Sequence, residues 1–279
     1  MIKLIKLQLL VLIKNKSCWF LPKVKKKLII QHLKNLFHRL KIHPLTVLYF
    51  GFALIGGYLK WYLSALMIVC LHELCHLLMA YYFHFEIEKV EILPFGAYLS
   101  LHDFYFHSLM EEMCVVLAGP CSHLIIYSMI CLCSQGVYRD YLLLMNMCVF
   151  GFNLLPIYPM DGYRLINLLL QSLIDLKKAF YFSLKLSVFS FCIFFVFYLR
   201  INTIVILGYL FVQQFYLLKF IPEYLRRYYS EIATLKPAKK VKLHHHLSYR
   251  RGYHNYYLLE HGIKDEKEMV FIFLKNVKK

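Results

Sequence analysis

Residues 61–83 read WYLSALMIVCLHELCHLLMAYYF, an apolar run interrupted by His72, Glu73 and His76. It is long enough to cross a hydrocarbon layer of ~30 Å, which takes about 20 residues of helix. A charged side chain near the middle of such a layer costs at least about 2.5–3.5 kcal/mol, so ionisable residues there mark a functional site by default. The two histidines are four residues apart, which stacks both imidazoles on one helix face within reach of one metal ion. Glu73 stands beside them. In an H-E-x-x-H arrangement this glutamate is not a ligand; it takes a proton from an activated water and passes it to the leaving amine. At this chain's histidine and glutamate content the pattern arises by chance roughly 0.03 times per sequence. The competing reading is a pair of packing histidines bonded to a glutamate partner.

The remainder of the chain has the same character. Of its 279 residues 60% are hydrophobic and 17% aromatic, well above the usual apolar share of about half. Six apolar runs are bounded by charges or turn residues, at 44–59, 61–83, 113–134, 140–157, 180–199 and 201–220. The expected fold is therefore an all-α polytopic membrane protein of about six transmembrane helices. Residues 86–101 alternate Ile87, Val90 and Ile92 with Glu86, Glu88 and Glu91 and carry a Pro94-Phe95-Gly96 turn, which predicts a membrane-associated β-hairpin. Three regions follow: a basic cytoplasmic leader (1–43), a membrane domain (44–220) and a small basic cytoplasmic tail (221–279).

Charge sets the orientation. Residues 1–43 hold eleven Lys or Arg and no acid, and thirteen more follow residue 220. The positive-inside rule places both termini in the cytoplasm, so the second and fourth spans run in the same direction. The net charge of +17 sits at the two ends and not on one compact domain, which argues against direct nucleic-acid binding and for a lipid bilayer as the partner. Most of the nine cysteines fall in apolar segments at irregular spacing and read as small buried hydrophobes, not as a disulfide framework.

Two histidines do not complete a catalytic zinc site, which takes three protein ligands and an open position. The best supply of the third is NLLPIYPMDG (153–162), where prolines end the helix and leave Asp161 free to face a neighbouring segment. Asp161 is equally well placed as the N-cap of YRLINLLLQSLI. His123, four residues after Gly119, is expected to face the bundle interior, either bonding a neighbour or meeting substrate. Gly119 and Pro120 read as close helix approach and a kink. Glu111 and Glu112 read as acids favouring the start of the third span, and His244, His245 and His246 as a solvated basic strand.

LHELCH (71–76) followed about ninety residues later by NLLPIYPMDG resembles the site-2 protease family of intramembrane zinc metalloproteases. KIHPL (41–45), ILPFGAYL (92–99), LAGP (117–120) and RRYYSEIATL (226–235) resemble more narrowly its sporulation branch, whose members remove the pro-sequence of a sigma factor. The resemblance covers about residues 40–235. It implies one zinc ion held by His72, His76 and Asp161, with Glu73 as the catalytic acid and base. It further implies substrate contacts from Asn153 and from the Pro94, Phe95 and Gly96 turn. The implied partners are a membrane-associated pro-sigma factor and membrane inhibitory proteins, at the membrane around the forespore, and an oligomer is compatible with it. The sequence departs from the family pattern where PFGG becomes PFGA and LDGG becomes MDGY. YRRGYHNYYLLEHG (249–262) resembles one half of a CBS-like regulatory domain, too short for a whole one. The rival class is a non-proteolytic metal-binding membrane scaffold or transporter.

Overall fold

The computed structural model describes residues 40–42, 44–93, 96–101, 104–199, 203–232, 234, 238, 240–259 and 262–277. The basic leader 1–43 lies outside these except for Leu40–Ile42, a short strand (β1), and the Pro94-Phe95 part of the predicted turn lies outside them as well. Residues 42–279 form one compact unit, which carries everything that follows.

The fold is mostly helical. Helix α1 is Pro44–Ile55 and α2 is Leu59–Tyr82, broken from it by Gly56-Gly57, where Gly57 takes φ +74°, a left-handed turn that glycine adopts without penalty. Strands β2 (Ile87–Leu93) and β3 (Gly96–Leu101) form the expected antiparallel hairpin, with Val90 opposite Leu99 and Leu93 opposite Gly96. Helix α3 (Leu109–Cys133) starts on a capping box: Ser108 Oγ accepts from the Glu111 N–H, and the Glu111 carboxylate accepts from the Ser108 N–H. Helices α4 (Gly136–Asn153), α5 (Asp161–Leu173), α6 (Leu176–Tyr198) and α7 (Ile204–Glu231) follow.

Four of these, α2, α3, α6 and α7, are long and apolar enough to cross a membrane. Of the other two expected spans, α1 has 12 residues and α4 has 18, lengths of about 18 and 27 Å at 1.5 Å per residue. Side chains such as Leu124, Val196 and Phe211 point outward, the arrangement that a bilayer covers. Among the described residues, Cys121, Cys131, Cys133, Cys148 and Cys192 are exposed on these outer faces, against the expectation of burial.

Helix α2 packs on α3 and α4, α3 on α4 and α5, and α5, α6 and α7 follow in series. Tyr141 donates to the Trp61 carbonyl at 3.0 Å and Ser64 Oγ lies 2.6 Å from Tyr138 Oη. Both contacts join the starts of α2 and α4.

The expected boundary at 220/221 falls inside α7, which continues through Pro222 to Glu231. Beyond it, β4 (Val241–His244), β5 (His254–Leu259) and β6 (Gly262–Asp265) form a sheet, parallel between β4 and β5 and antiparallel between β5 and β6, followed by α8 (Val270–Val277). His244 corrects the expectation of a solvated histidine strand. It is buried, stacked on Tyr257, and bonded to Asn255 at 2.8 Å and Ser248 at 2.7 Å, while His245 and His246 are exposed. A burial pattern with period 2 buries the first histidine and turns the next outward.

Candidate metal centre

Helix α2 buries the face that carries Ile68, Val69, His72, His76 and Ala80. At its centre His72 and His76 bring their Nε2 atoms to 3.1 Å of each other. Helix α4 ends at Asn153, and residues 154–160 turn the chain so that Asp161 becomes the first residue of α5. Its Oδ2 lies 3.1 Å from both Nε2 atoms. The N-cap of α5 is Met160 and not Asp161, so the Asp161 carboxylate faces the histidines and caps nothing. All three residues are buried.

The loop that delivers Asp161 is held from outside. Ser187 Oγ on α6 accepts from the Tyr158 N–H at 2.9 Å and donates to Gln214 Oε1 on α7 at 2.8 Å, and Gln214 Nε2 donates to the Tyr158 carbonyl at 3.1 Å. Ile157 is buried among Phe191, Leu207 and Leu210. The Tyr158–Pro159 peptide is cis. Gly162 has no room for a side chain, since a Cβ there would stand 2.1 Å from the Leu154 carbonyl oxygen.

Helix α3 closes the other side. The His76 Nδ1–H donates to the Val115 carbonyl at 2.8 Å, so Nε2 carries the lone pair that faces Asp161. A Cβ on Gly119 would stand 2.1 Å from His76 Nε2. The glycine expected to permit close helix approach does so at the histidine pair itself. His123, buried as expected, places Nε2 3.0 Å from His72 Nδ1 and Nδ1 2.7 Å from Asn146 Oδ1.

The donor set suits zinc. Two imidazole nitrogens and one carboxylate oxygen are the ligand types of hydrolytic zinc sites, and a tetrahedral ion with bonds of about 2.0–2.1 Å spaces its ligands roughly 3.3 Å apart. The three atoms here already stand at 3.1 Å, and the residues form one potential metal-holding group. Glu73 follows His72 on α2 and is half-buried. Asn153 is half-buried at the end of α4, immediately before the loop, and Gly96 opens β3. The hairpin to which Gly96 belongs packs against α2 through β3.

Some supporting residues escape a reading by motif. Asn146, Ser187 and Gln214 are buried polar side chains on apolar helices, and that placement is the signal that could have singled them out. Glu112 is a second correction. It does not simply favour a helix start; it is fully buried against Arg251 of the tail. A cavity of about 490 Å³ lies at the tail, lined by Asp175, Lys178, Tyr229, Tyr249 and Phe273, and the three candidate ligands do not line it.

Peptidase family M50 matches residues 61–139. The chain is 30% identical over 212 residues to Stage IV sporulation protein FB of Bacillus subtilis, covering 72% of this chain and 71% of that protein. It is 29% identical over 136 residues to a zinc metalloprotease of Methanocaldococcus jannaschii, covering 45% of this chain and 39% of that protein. The solved site-2 protease from M. jannaschii shares the fold at a TM-score of 0.50 and 22% identity, over 63% of this chain and 88% of that one.

Proposed function

The chain belongs to peptidase family M50, the site-2 proteases, and from that premise we propose that it cleaves a membrane-associated protein near the cytoplasmic face of the bilayer, with one zinc ion held by His72, His76 and Asp161. It is a zinc metalloprotease with several membrane-spanning helices. The observation that carries the site assignment is the convergence of three buried ligand atoms from α2 and α5, spaced at 3.1 Å.

The ion, when bound, supplies a Lewis acid that polarises a carbonyl and acidifies a water. The chain's own groups do the rest. His76 is aimed by its Nδ1–H bond to Val115, and Asp161 by the anchored loop 154–160. Glu73 receives the proton of the attacking water on its carboxylate and returns it to the leaving nitrogen. An extended stretch of substrate adds to the edge of the β2–β3 hairpin, because main-chain pairing exposes a peptide bond that a helix hides. The Pro94, Phe95 and Gly96 turn and Asn153 contact that substrate. Prolines placed along the substrate near its scissile bond should impair cleavage, and cleavage untouched by any of them would count against the hairpin platform.

The likeness to the sporulation branch supports a narrower reading. The substrate is a pro-sigma factor, the location is the membrane around a forespore, six crossings leave both termini in the cytoplasm, and membrane partners hold the enzyme silent. Co-expression with a membrane-associated pro-sigma factor tests it: the wild-type chain should shorten the factor and Glu73→Gln should not. Equal processing by both would sink the mechanism.

A further inference from the structure

We propose that His123 and Asn146 are positioning residues that fix the protonated nitrogen of His72 and so present its Nε2 lone pair to the metal; this rests on the zinc-site reading above. The order of donors follows from one carbonyl. Asn146 Nδ2 lies 3.2 Å from the His123 backbone oxygen, and a carbonyl only accepts, so that amide atom is the NH₂. The other atom, Oδ1, is an acceptor, and it lies 2.7 Å from His123 Nδ1. His123 therefore carries its hydrogen on Nδ1 and offers a lone pair at Nε2. That lone pair faces His72 Nδ1 at 3.0 Å, so His72 is the donor there and its Nε2 is bare. Asp161 Oδ2 and His76 Nε2 are the atoms it faces, each at 3.1 Å. His76 is set the same way by Val115.

Three acceptors then converge with no hydrogen among them, an arrangement that suits a cation at their centre. The relay is sealed: His72 is 1% exposed, His123 4% and Asn146 1%, so no bulk water competes for these bonds. It also accounts for an amide inside the apolar helix α4, where an unpaired polar group is costly. Partners that orient a metal-bound imidazole typically alter metal affinity 10- to 100-fold.

The test is zinc affinity of the full chain in detergent, measured by competition with a chelator, with the melting temperature of the metal-free protein as a fold control. His123→Leu and Asn146→Leu should weaken zinc binding about 10- to 100-fold. His123→Gln, whose amide oxygen can stand where the imidazole Nε2 stood, should bind within about threefold of wild type, whereas His123→Asn keeps the contact to Asn146 but falls short of His72 and should bind as weakly as the leucine variant. The glutamine and asparagine pair carries the comparison if the leucine variants do not accumulate. Affinity within about twofold of wild type in the leucine variants overturns the proposal, as does Gln binding no better than Asn. Asp161→Ala separates the two readings: if it too keeps wild-type affinity the zinc site itself falls and the relay with it, while loss in Asp161→Ala beside unchanged binding in the His123 and Asn146 variants strikes the relay alone.

Discussion

Gly119 has no side chain because His76 occupies the space: a Cβ at that position would stand 2.1 Å from Nε2. Gly119→Ala is therefore expected to push the imidazole off its aim and weaken zinc binding at least about tenfold, by analogy with the loss of other groups that orient ligands. Retained wild-type affinity in the alanine variant would show that α2 and α3 can part without consequence. Glu73→Gln should do the opposite. It keeps the ligands and so the zinc, but removes the proton carrier, and cleavage should fall about 10²- to 10⁴-fold; metal content and initial rate measured on one preparation check both halves. At this scale much was legible in LHELCH, since a helical i, i+4 pair needs no knowledge of the fold. Asp161 could be nominated from its residues but not assigned, because a first-turn aspartate serves as readily for a cap; the family resemblance implied the ligand, and the structure has Met160 at the N-cap.

At the level of elements, Asp161 depends on the segment 154–160 being held by α6 and α7. Gln214→Leu removes one donor to the Tyr158 carbonyl and the acceptor of the Ser187 hydroxyl, and the loss of a buried hydrogen-bond partner costs about 1–3 kcal/mol. A lower unfolding midpoint together with weaker zinc binding is expected, although Gln214 touches none of the ligands; unchanged zinc affinity would mean that the loop holds its own shape. The breaks in this segment were visible as Pro156 and Pro159. Its anchors were not, because a serine and a glutamine on later helices carry no spacing signature relative to a loop some thirty to sixty residues earlier. The hairpin was readable from its alternation, and the strands pair with Leu93 opposite Gly96.

For the molecule as a whole, the tail is bound into the helical body. Asn255 accepts from the Arg250 N–H and donates to the carbonyls of Arg250 and Tyr253, shaping a turn in which Gly252 takes φ +81° and Arg251 points inward. The Arg251 guanidinium grips both oxygens of Glu112 and also donates to Gln171 Oε1 at 2.9 Å and the His107 carbonyl at 2.7 Å. Burial alone pushes Arg251 down, but the Glu112 carboxylate outweighs it and holds the group above its ordinary value. Glu112 sits on the helix that carries Val115, Gly119 and His123, and Gln171 on the helix that begins with Asp161, so one side chain ties together two of the three helices that shape the metal centre.

Arg251→Met leaves Glu112 buried without a counter-charge and should cost about 3–5 kcal/mol, while Arg251→Met with Glu112→Leu should recover most of it. A double-mutant cycle in thermal or denaturant unfolding checks this, and additive losses would exclude a direct pair. Nothing in the sequence announced the contact, because the partners lie 139 residues apart and each alone reads as an ordinary helix-start acid and an ordinary basic tail.

Zinc K-edge X-ray absorption on the purified full chain bears most directly on the three-ligand centre. Cys75 lies next to His76 on α2 and is half-buried, so a sulfur ligand is the nearest rival. A first shell of nitrogen and oxygen at about 2.0–2.2 Å is expected, with imidazole scattering from two histidines and without sulfur near ~2.3 Å; a zinc–sulfur shell, or the absence of imidazole scattering, would contradict it.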